Sequence, residues 1–530
     1  MEENFKGKIK DFENVLVDVI PTPPGAGGDG EGQADHVFVS SANCQLSGLG
    51  SYLRDDKTRR LYCSEISASF VLSQFEDIEP RMVTEVALNT PLVIPVQTAH
   101  SEHYSLRVTA VCANHCPGSV MFLFEKLNSE ENVETRILYT GAFRFDDGRP
   151  LQSRLTALHD SDGTPLFLDA LYLDTTFMNS NYQDFCSRKD AEKEIWELVK
   201  SWVGKNESRP RGRSSGRKYV VQLHLPARYG YENILKAIYT RSGLRWRVHV
   251  PSLKFSTYLC HAHLTDCTDE SAAEAEFVHA CVKAAPGIEK CGNYLPCMKD
   301  AKNLAVLHIK PSAMFFNNEK VSGGWCHHVA GAGGGAKLSR ARGRGSECAR
   351  YRVCYSTHSS RAELETFLRH LAPARVVPCV EPADPDKRRE MLGLLDSIMA
   401  SLPSRRREEE ETSSEEIGDS RDVDVEKIKR KRRIVDTEIE EECNKTPKRS
   451  ISNESLHLIL EESPEKLEKS PVNNEEMDDE VNLDDTPDIE EVIENHANDP
   501  RCLVPLRHGD TAMKAMLEYK RRKDEIIVID

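Results

Sequence analysis

Through the first four hundred residues, apolar positions gather into short runs separated by polar turns. VLVDVI (15–20), VFVSS (37–41), PLVIPV (91–96), YSLRVTAVC (104–112), VMFLFE (120–125), RILYTG (136–141) and ALYLDTTF (170–177) are rich in β-branched and aromatic residues, which predicts strands. LYCSEISASFVLSQF (61–75) reads as a strand entering a helix. Strands alternating with helices predict an α/β layered domain. From about Asp184 the texture changes. DAEKEIWELVKSWV has apolar residues at helical spacing, KYVVQLHL reads as a strand, and ARYGYENILKAIY reads as a further helix, together predicting an inserted α/β unit. YRVCYSTHSSRAELETFLRHL and ARVVPCVEP then predict strand, loop, helix and strand.

Two stretches interrupt this pattern. The Pro/Gly-rich segment 21–33 and the Gly/Arg-rich segment 329–347 are expected to be exposed loops, the latter disordered. Beyond Pro403 the apolar rhythm stops, and residues 404–530 carry 22 basic and 37 acidic side chains. Nearly all of the formal charge of −16 therefore lies there, leaving a body close to neutral that can still present a basic groove to nucleic acid. So charged a segment buries too little apolar surface to offset its ordering entropy, which predicts a disordered tail. Within it Lys427, Lys429, Arg430, Lys431, Arg432 and Arg433 form a basic cluster of the nuclear-localisation type, with a solvated charge run as the plain alternative. The last six residues, EIIVID, are of the sort that adds a strand to a partner's sheet edge, as SUMO-interacting segments do. No charged-then-apolar leader opens the chain and no apolar run approaches bilayer length, so a non-secreted protein with no membrane partner is expected. Its 16 cysteines are then expected as reduced thiols, some serving as metal ligands.

The candidate chemistry begins with Val111–Glu125, where a tight NHCPGS turn runs into a buried strand and delivers His115 to one end of the sheet. A lone histidine in a turn is ordinarily a surface residue. The whole string, together with ILYTG and LYLDTTF downstream, resembles the metallo-β-lactamase/β-CASP nucleases of DNA repair. That resemblance implies an αββα sandwich with an inserted β-CASP domain: residues 1–175 and 371–403 the metallo-β-lactamase part, 176–370 the insertion, and 404–530 a regulatory tail. It also implies a nuclear protein acting on DNA ends in double-strand-break or cross-link repair, working with the DNA-dependent protein kinase and a DNA ligase.

By the same resemblance Asp18, His115, Asp174 and His358 stand at positions that support or supply a two-metal hydrolytic centre. Two other motifs of that centre are missing. Where the family carries His-x-His-x-Asp-His, this chain reads Ser41-Ala42-Asn43-Cys44-Gln45-Leu46, and where it carries TGDFR the chain has Ala142. Asp146 and Asp147 would replace that aspartate only if their loop swung back, and Cys44 or His36 would have to reach in from elsewhere. The expectation is therefore a protein whose nuclease activity is lost or severely weakened, against the alternative of an active nuclease with a rearranged or single metal. An RNA 3′-end processing factor is disfavoured, because Val380 stands where such proteins carry a third histidine. His249, His279, Cys281 and Cys297 match a structural zinc site of one family branch, and alternation along a strand puts His279 and Cys281 on one face. Cys260, His261, His263, Cys267 and Cys291 crowd the same region.

Overall fold

The computed structural model describes residues 3–403 apart from 21–33, 45, 76–77, 98–102, 207–216, 282–287, 300, 302 and 331–347. The tail with its basic cluster and EIIVID, and most of the 329–347 loop, lie outside the described residues.

Two sheets stack face to face. The first has four parallel strands, Val15–Val17, His36–Phe38, Arg60–Cys63 and Val83–Glu85. The second has six, in the order Val376–Pro378, Ala170–Leu173, Val133–Tyr139, Val120–Leu127, His103–Cys112 and Leu92–Gln97. Their inner faces meet in an aromatic core where Phe38 stacks on Tyr62 at 4.7 Å and meets Phe122 and Phe124 edge-on at 5.3 and 5.0 Å. Helices cover both outer faces. Leu49–Asp55 and Glu65–Gln74 pack Leu53, Ala68 and Val71 on the small sheet. Arg361–Leu371 and Pro385–Ala400 pack Phe367, Leu368 and Leu395 on the large one. This is an αββα sandwich, and the helix 361–371, assigned to the insertion from sequence, packs in its outer layer. Its start is set by a capping box in which Ser360 and Glu363 satisfy each other's backbone amides.

Between strand Ala170–Leu173 of the sandwich and that helix the chain builds a seven-stranded sheet. Its order is Thr268–Asp269, Val248–His249, Val278–His279, Lys218–Leu223, Leu304–Pro311, Cys348–Val353 and Cys326–His328, parallel except for the last pair. Parallel strands need crossover connections, and Glu232–Arg241 lies in the one from Lys218–Leu223 to Val248–His249, while Arg188–Val203 leads into the sheet from the sandwich. The two helices bury Ile195, Val199, Leu235 and Ile238 against Val221, Leu307 and Val353. Among the described residues no helix is long and apolar enough to cross a membrane.

Candidate metal centres

Loops at the carboxyl ends of three sandwich strands bring Asp18, His115 and Asp174 to one region, and the loop that leaves strand Cys348–Val353 of the inserted sheet brings His358 there. The NHCPGS turn is locked by Ser119, whose Oγ accepts from the amides of His115 (2.9 Å) and Cys116 (3.1 Å). Gly118 adopts φ +78° and lies so close to helix 65–74 that a Cβ would sit 2.8 Å from the Ser67 amide nitrogen, so only glycine fits. The carbonyl of Gly118 accepts from Ser64 and Ser67 of that helix, fixing the turn against the small sheet's outer layer. Gly141, at φ +52°, permits a similar approach: a Cβ there would lie 2.6 Å from Ser40 Oγ.

What surrounds the four residues decides their chemistry. Asp18 sits at φ +60° with both carboxylate oxygens occupied. Oδ1 accepts from the Ser40 amide at 2.6 Å, and Oδ2 accepts from Ser40 Oγ at 2.5 Å and from Tyr139 OH at 2.9 Å. His115 is buried, and its Nδ1 donates to the Thr357 carbonyl at 3.0 Å, which leaves the Nε2 lone pair to face Asn43 Nδ2 at 3.3 Å. Asn43 cannot turn away, because its amide also donates to the Tyr229 carbonyl (3.0 Å) and accepts from the Tyr229 amide (3.1 Å). Burial, and then the neighbouring His358, push the His115 pKa down to about 3, so the ring is neutral. Asp174 Oδ2 accepts from His358 Nδ1 at 2.7 Å, while Oδ1 accepts from Thr176 Oγ1 at 2.5 Å. Burial alone would raise Asp174, but His358 and the Thr176 hydrogen bonds hold it below the ordinary carboxylate range. The rings of His115 and His358 stand 4.9 Å apart.

The substitutes weighed from sequence are placed elsewhere or engaged. Asp146 is held by Arg188, with its amide at 2.7 Å and Nη2 at 2.7 Å, and by Arg144 Nη1 at 3.4 Å. Asp147 pairs with Arg149 and Arg154. His36 begins its strand at the end away from Asp18 and bonds Tyr62 OH at 3.1 Å. Cys44 does lie beside Asp18, yet burial and that carboxylate raise its thiol well above the ordinary range, so it stays protonated. Ala142 offers a methyl group. Among the described residues, no three ligand-type side chains at these loops bring donor atoms within 4.8 Å of one another.

The frame around the region is nevertheless complete. Arg144, the arginine of TGAFR, is fully buried and reaches Glu363 (3.0 Å), the Ser356 carbonyl (3.1 Å) and the Cys186 carbonyl (3.0 Å). Arg188 joins the carbonyls of Asn114 (2.6 Å) and Arg144 (3.1 Å). Two buried guanidiniums thus tie the NHCPGS turn, the TGAFR loop, the His358 loop and the start of helix 188–203 together. Ser40, Tyr139, Thr357 and Tyr229 escaped the sequence reading. Their signal was weak, being polar groups at the ends of apolar strands.

The inserted sheet holds a different arrangement. Donor atoms of His249, Cys281 and Cys297 lie within 4.8 Å of one another. His279 Nδ1 stands 3.4 Å from His249 Nδ1 and 3.5 Å from Cys297 Sγ, so it borders this group while falling outside the mutually close set. Cys297 is pulled well below the usual thiol range by hydrogen bonds from Cys281, His249 and His279. A thiolate beside a thiol and two imidazoles is a donor set that suits a borderline-soft divalent metal. His261 bonds Ser69 Oγ at 3.1 Å and Cys267 donates to the Leu264 carbonyl, so neither joins it. A second group in the same sheet, His224, His308 and Cys291, is equally close and was not singled out from sequence.

Residues 262–384 match the family described as DNA repair metallo-beta-lactamase. The chain is 34% identical over 333 residues to "Protein artemis" of Mus musculus, covering 61% of this chain and 40% of that protein. To "Protein artemis" of Homo sapiens it is 31% identical over 332 residues, covering 61% and 41%. To "5' exonuclease Apollo" of Rattus norvegicus it is 30% identical over 176 residues, covering 33% and 29%. The chain thus spans about half or less of the length of the curated relatives it matches. Sandwich, inserted sheet and these likenesses together make the chain similar to the Artemis-type proteins of the metallo-β-lactamase/β-CASP family.

Proposed function

We propose that this chain binds DNA ends in the nucleus as a repair protein whose hydrolytic metal centre has been lost. One observation carries the reading: the coordinating atoms of Asp18, His115 and Asp174 are met by Ser40, Tyr139, Asn43, Thr176 and His358, not directed at a shared vacant point. Two-metal phosphodiester hydrolysis needs ions that activate water and stabilise both the entering and leaving oxygens, and that needs several carboxylates and imidazoles converging. Asn43 contributes an amide where a ligand would stand. The buried arginine frame keeps the loops in place, so the end-binding surface survives the loss.

On this reading a zinc ion held by His249, His279, Cys281 and Cys297 is structural. It closes the inserted sheet by joining two strand ends to the segment around Cys297. The basic cluster 427–433 provides nuclear entry. The protein kinase and ligase machinery of end joining remain the partners that the family suggests.

The competing reading, a nuclease with a single or rearranged ion, draws on the grouping of His115, His358 and Asp174. Binding and cleavage of a hairpin-ended duplex by the full chain separate the two. We expect salt-sensitive binding without cleavage in magnesium, manganese or zinc, the same for wild type and His115→Ala. Cleavage by the wild type that His115→Ala abolishes would contradict the proposal.

A further inference from the structure

The histidines of the inserted sheet are not scattered. Strand register places His249, His279, Gln222, His308 and Arg350 in one row across five adjacent strands, so their side chains share a face. The group discussed above occupies one end of this row. At the other end, His224 follows strand 218–223 and lies beside His308, with His224 Nε2 2.9 Å from His308 Nδ1. Both rings are buried, His224 at 3% and His308 at 2% exposure.

The protons at this pair do not balance. His308 Nε2 donates to the Gly292 carbonyl at 2.9 Å, so His308 Nδ1 carries a lone pair. If His224 Nε2 donates to that lone pair, His224 Nδ1 is a buried acceptor, and it has no partner. If the proton sits on His224 Nδ1 instead, two lone pairs oppose each other at 2.9 Å and the buried N–H has no acceptor. Neither tautomer satisfies the site with protein groups alone, and a buried polar atom left unpaired costs about 1–3 kcal/mol. The third member, Cys291, is fixed through its backbone, its carbonyl accepting from Arg350 Nε at 2.9 Å and Cys348 Sγ at 3.7 Å.

We propose that His224, His308 and Cys291 form a second metal site, which takes a zinc-class divalent cation. Two imidazoles and a thiolate are ligands for such an ion, and the hydrogen bond from His308 Nε2 to a carbonyl is the outer contact that orients a metal-bound histidine. Such an ion takes up the opposed lone pairs of His224 Nε2 and His308 Nδ1, while the His224 Nδ1–H is left to a water. Nitrogens bound to one tetrahedral zinc at about 2.0–2.1 Å stand roughly 3.3 Å apart, so the rings need to separate by only a few tenths of an ångström. The fourth position is open to water or to Cys348, whose thiol is raised by burial and by the nearby Cys291. With Cys291 at this site and Cys297 at the other, the segment 291–297 is pinned at both ends to one row of the sheet. The metals act here as two staples for a connection that sheet hydrogen bonds alone hold weakly. This assignment is independent of whether the chain cleaves DNA.

Metal content of the purified full chain tests it. The wild type is expected to hold about two zinc ions per chain, Cys291→Ser and His308→Asn about one each, and the combination Cys281→Ser/Cys291→Ser none. Differential alkylation of the wild type, mapped by mass spectrometry with and without a strong chelator, needs no variant to fold. Cys291 and Cys297 should both be protected until the chelator is added. One zinc per chain, with Cys297 protected and Cys291 equally reactive in both conditions, would overturn the second site.

Discussion

The two ends of this molecule treat ligand-type side chains in opposite ways. At the sandwich loops the coordinating atoms of Asp18, His115 and Asp174 have protein hydrogen-bond partners, with Asn43 beside His115 and Ser40 beside Asp18. On the inserted sheet imidazoles and thiols face one another, and His224 Nδ1 and His279 Nε2 are buried without a partner. Residue type therefore does not distinguish a metal site from a former one. Proton and lone-pair accounting does: a set of donors that the protein satisfies itself has no need of an ion, whereas a set that it leaves opposed is open to one.

The sharpest way to break this contrast is to remove a thiolate from the inserted sheet. Cys297→Ala should release its metal and destabilise the chain by on the order of 4 kcal/mol or more, read as a fall in the chemical-denaturation midpoint together with metal content. A chelator should reproduce that loss in the wild type, and in the variant it should remove only the ion of the His224, His308 and Cys291 group. If Cys297→Ala keeps both its metal and its midpoint, the accounting fails at that end.

The frame of the sandwich loops should respond to charge and not to chelators. Asp146 lies between Arg188 and Arg144, and although burial alone would raise its carboxyl, these guanidiniums hold it below the ordinary range. Its folded pKa is depressed, so its contribution to stability is present above the unfolded value near about 3.9 and is lost as pH falls through the folded one. Asp146→Asn should cost about 3 kcal/mol at neutral pH by stranding buried arginines, and the gap from wild type should narrow only below about pH 4. A gap that is flat through acid, or one that a chelator alters, would show that the frame works differently.

Smaller effects sharpen the other half of the comparison. His115→Ala removes hydrogen bonds to Thr357 and Asn43 and should cost roughly 1–3 kcal/mol while leaving metal content unchanged. Ser40→Ala, which takes one hydroxyl from Asp18, should cost about 1 kcal/mol, again without change in metal. Metal loss in either variant, measured by elemental analysis, would place an ion where the structure shows an amide and a hydroxyl.

Much of the fold was legible because apolar strands such as VMFLFE and LYLDTTF are set apart by turns, and because a capped amphipathic helix such as 188–203 shows its period directly. The packing of helix 361–371 was not legible, because its apolar stripe says that it is buried without saying on which sheet. The absent ligands were visible as plain substitutions at residues 41–46 and 142. What replaced them was not, since Asn43 meets Tyr229 across 186 residues of sequence and only the folded chain brings them together. The pair His224 and His308 was hidden for a related reason. Neither stands out in LHL or LHI, and their meaning comes from the fold, which sets His224, two residues beyond His308's register partner Gln222, against the His308 ring.

The central claim is that metal belongs to the inserted sheet and to nowhere else in the described chain. Elemental analysis of the folded Cys281→Ser/Cys291→Ser protein, purified and then offered excess zinc or manganese before desalting, tests it most directly. The account predicts that no stoichiometric metal is retained. A bound equivalent that survives in this variant and disappears on adding His115→Ala would contradict it.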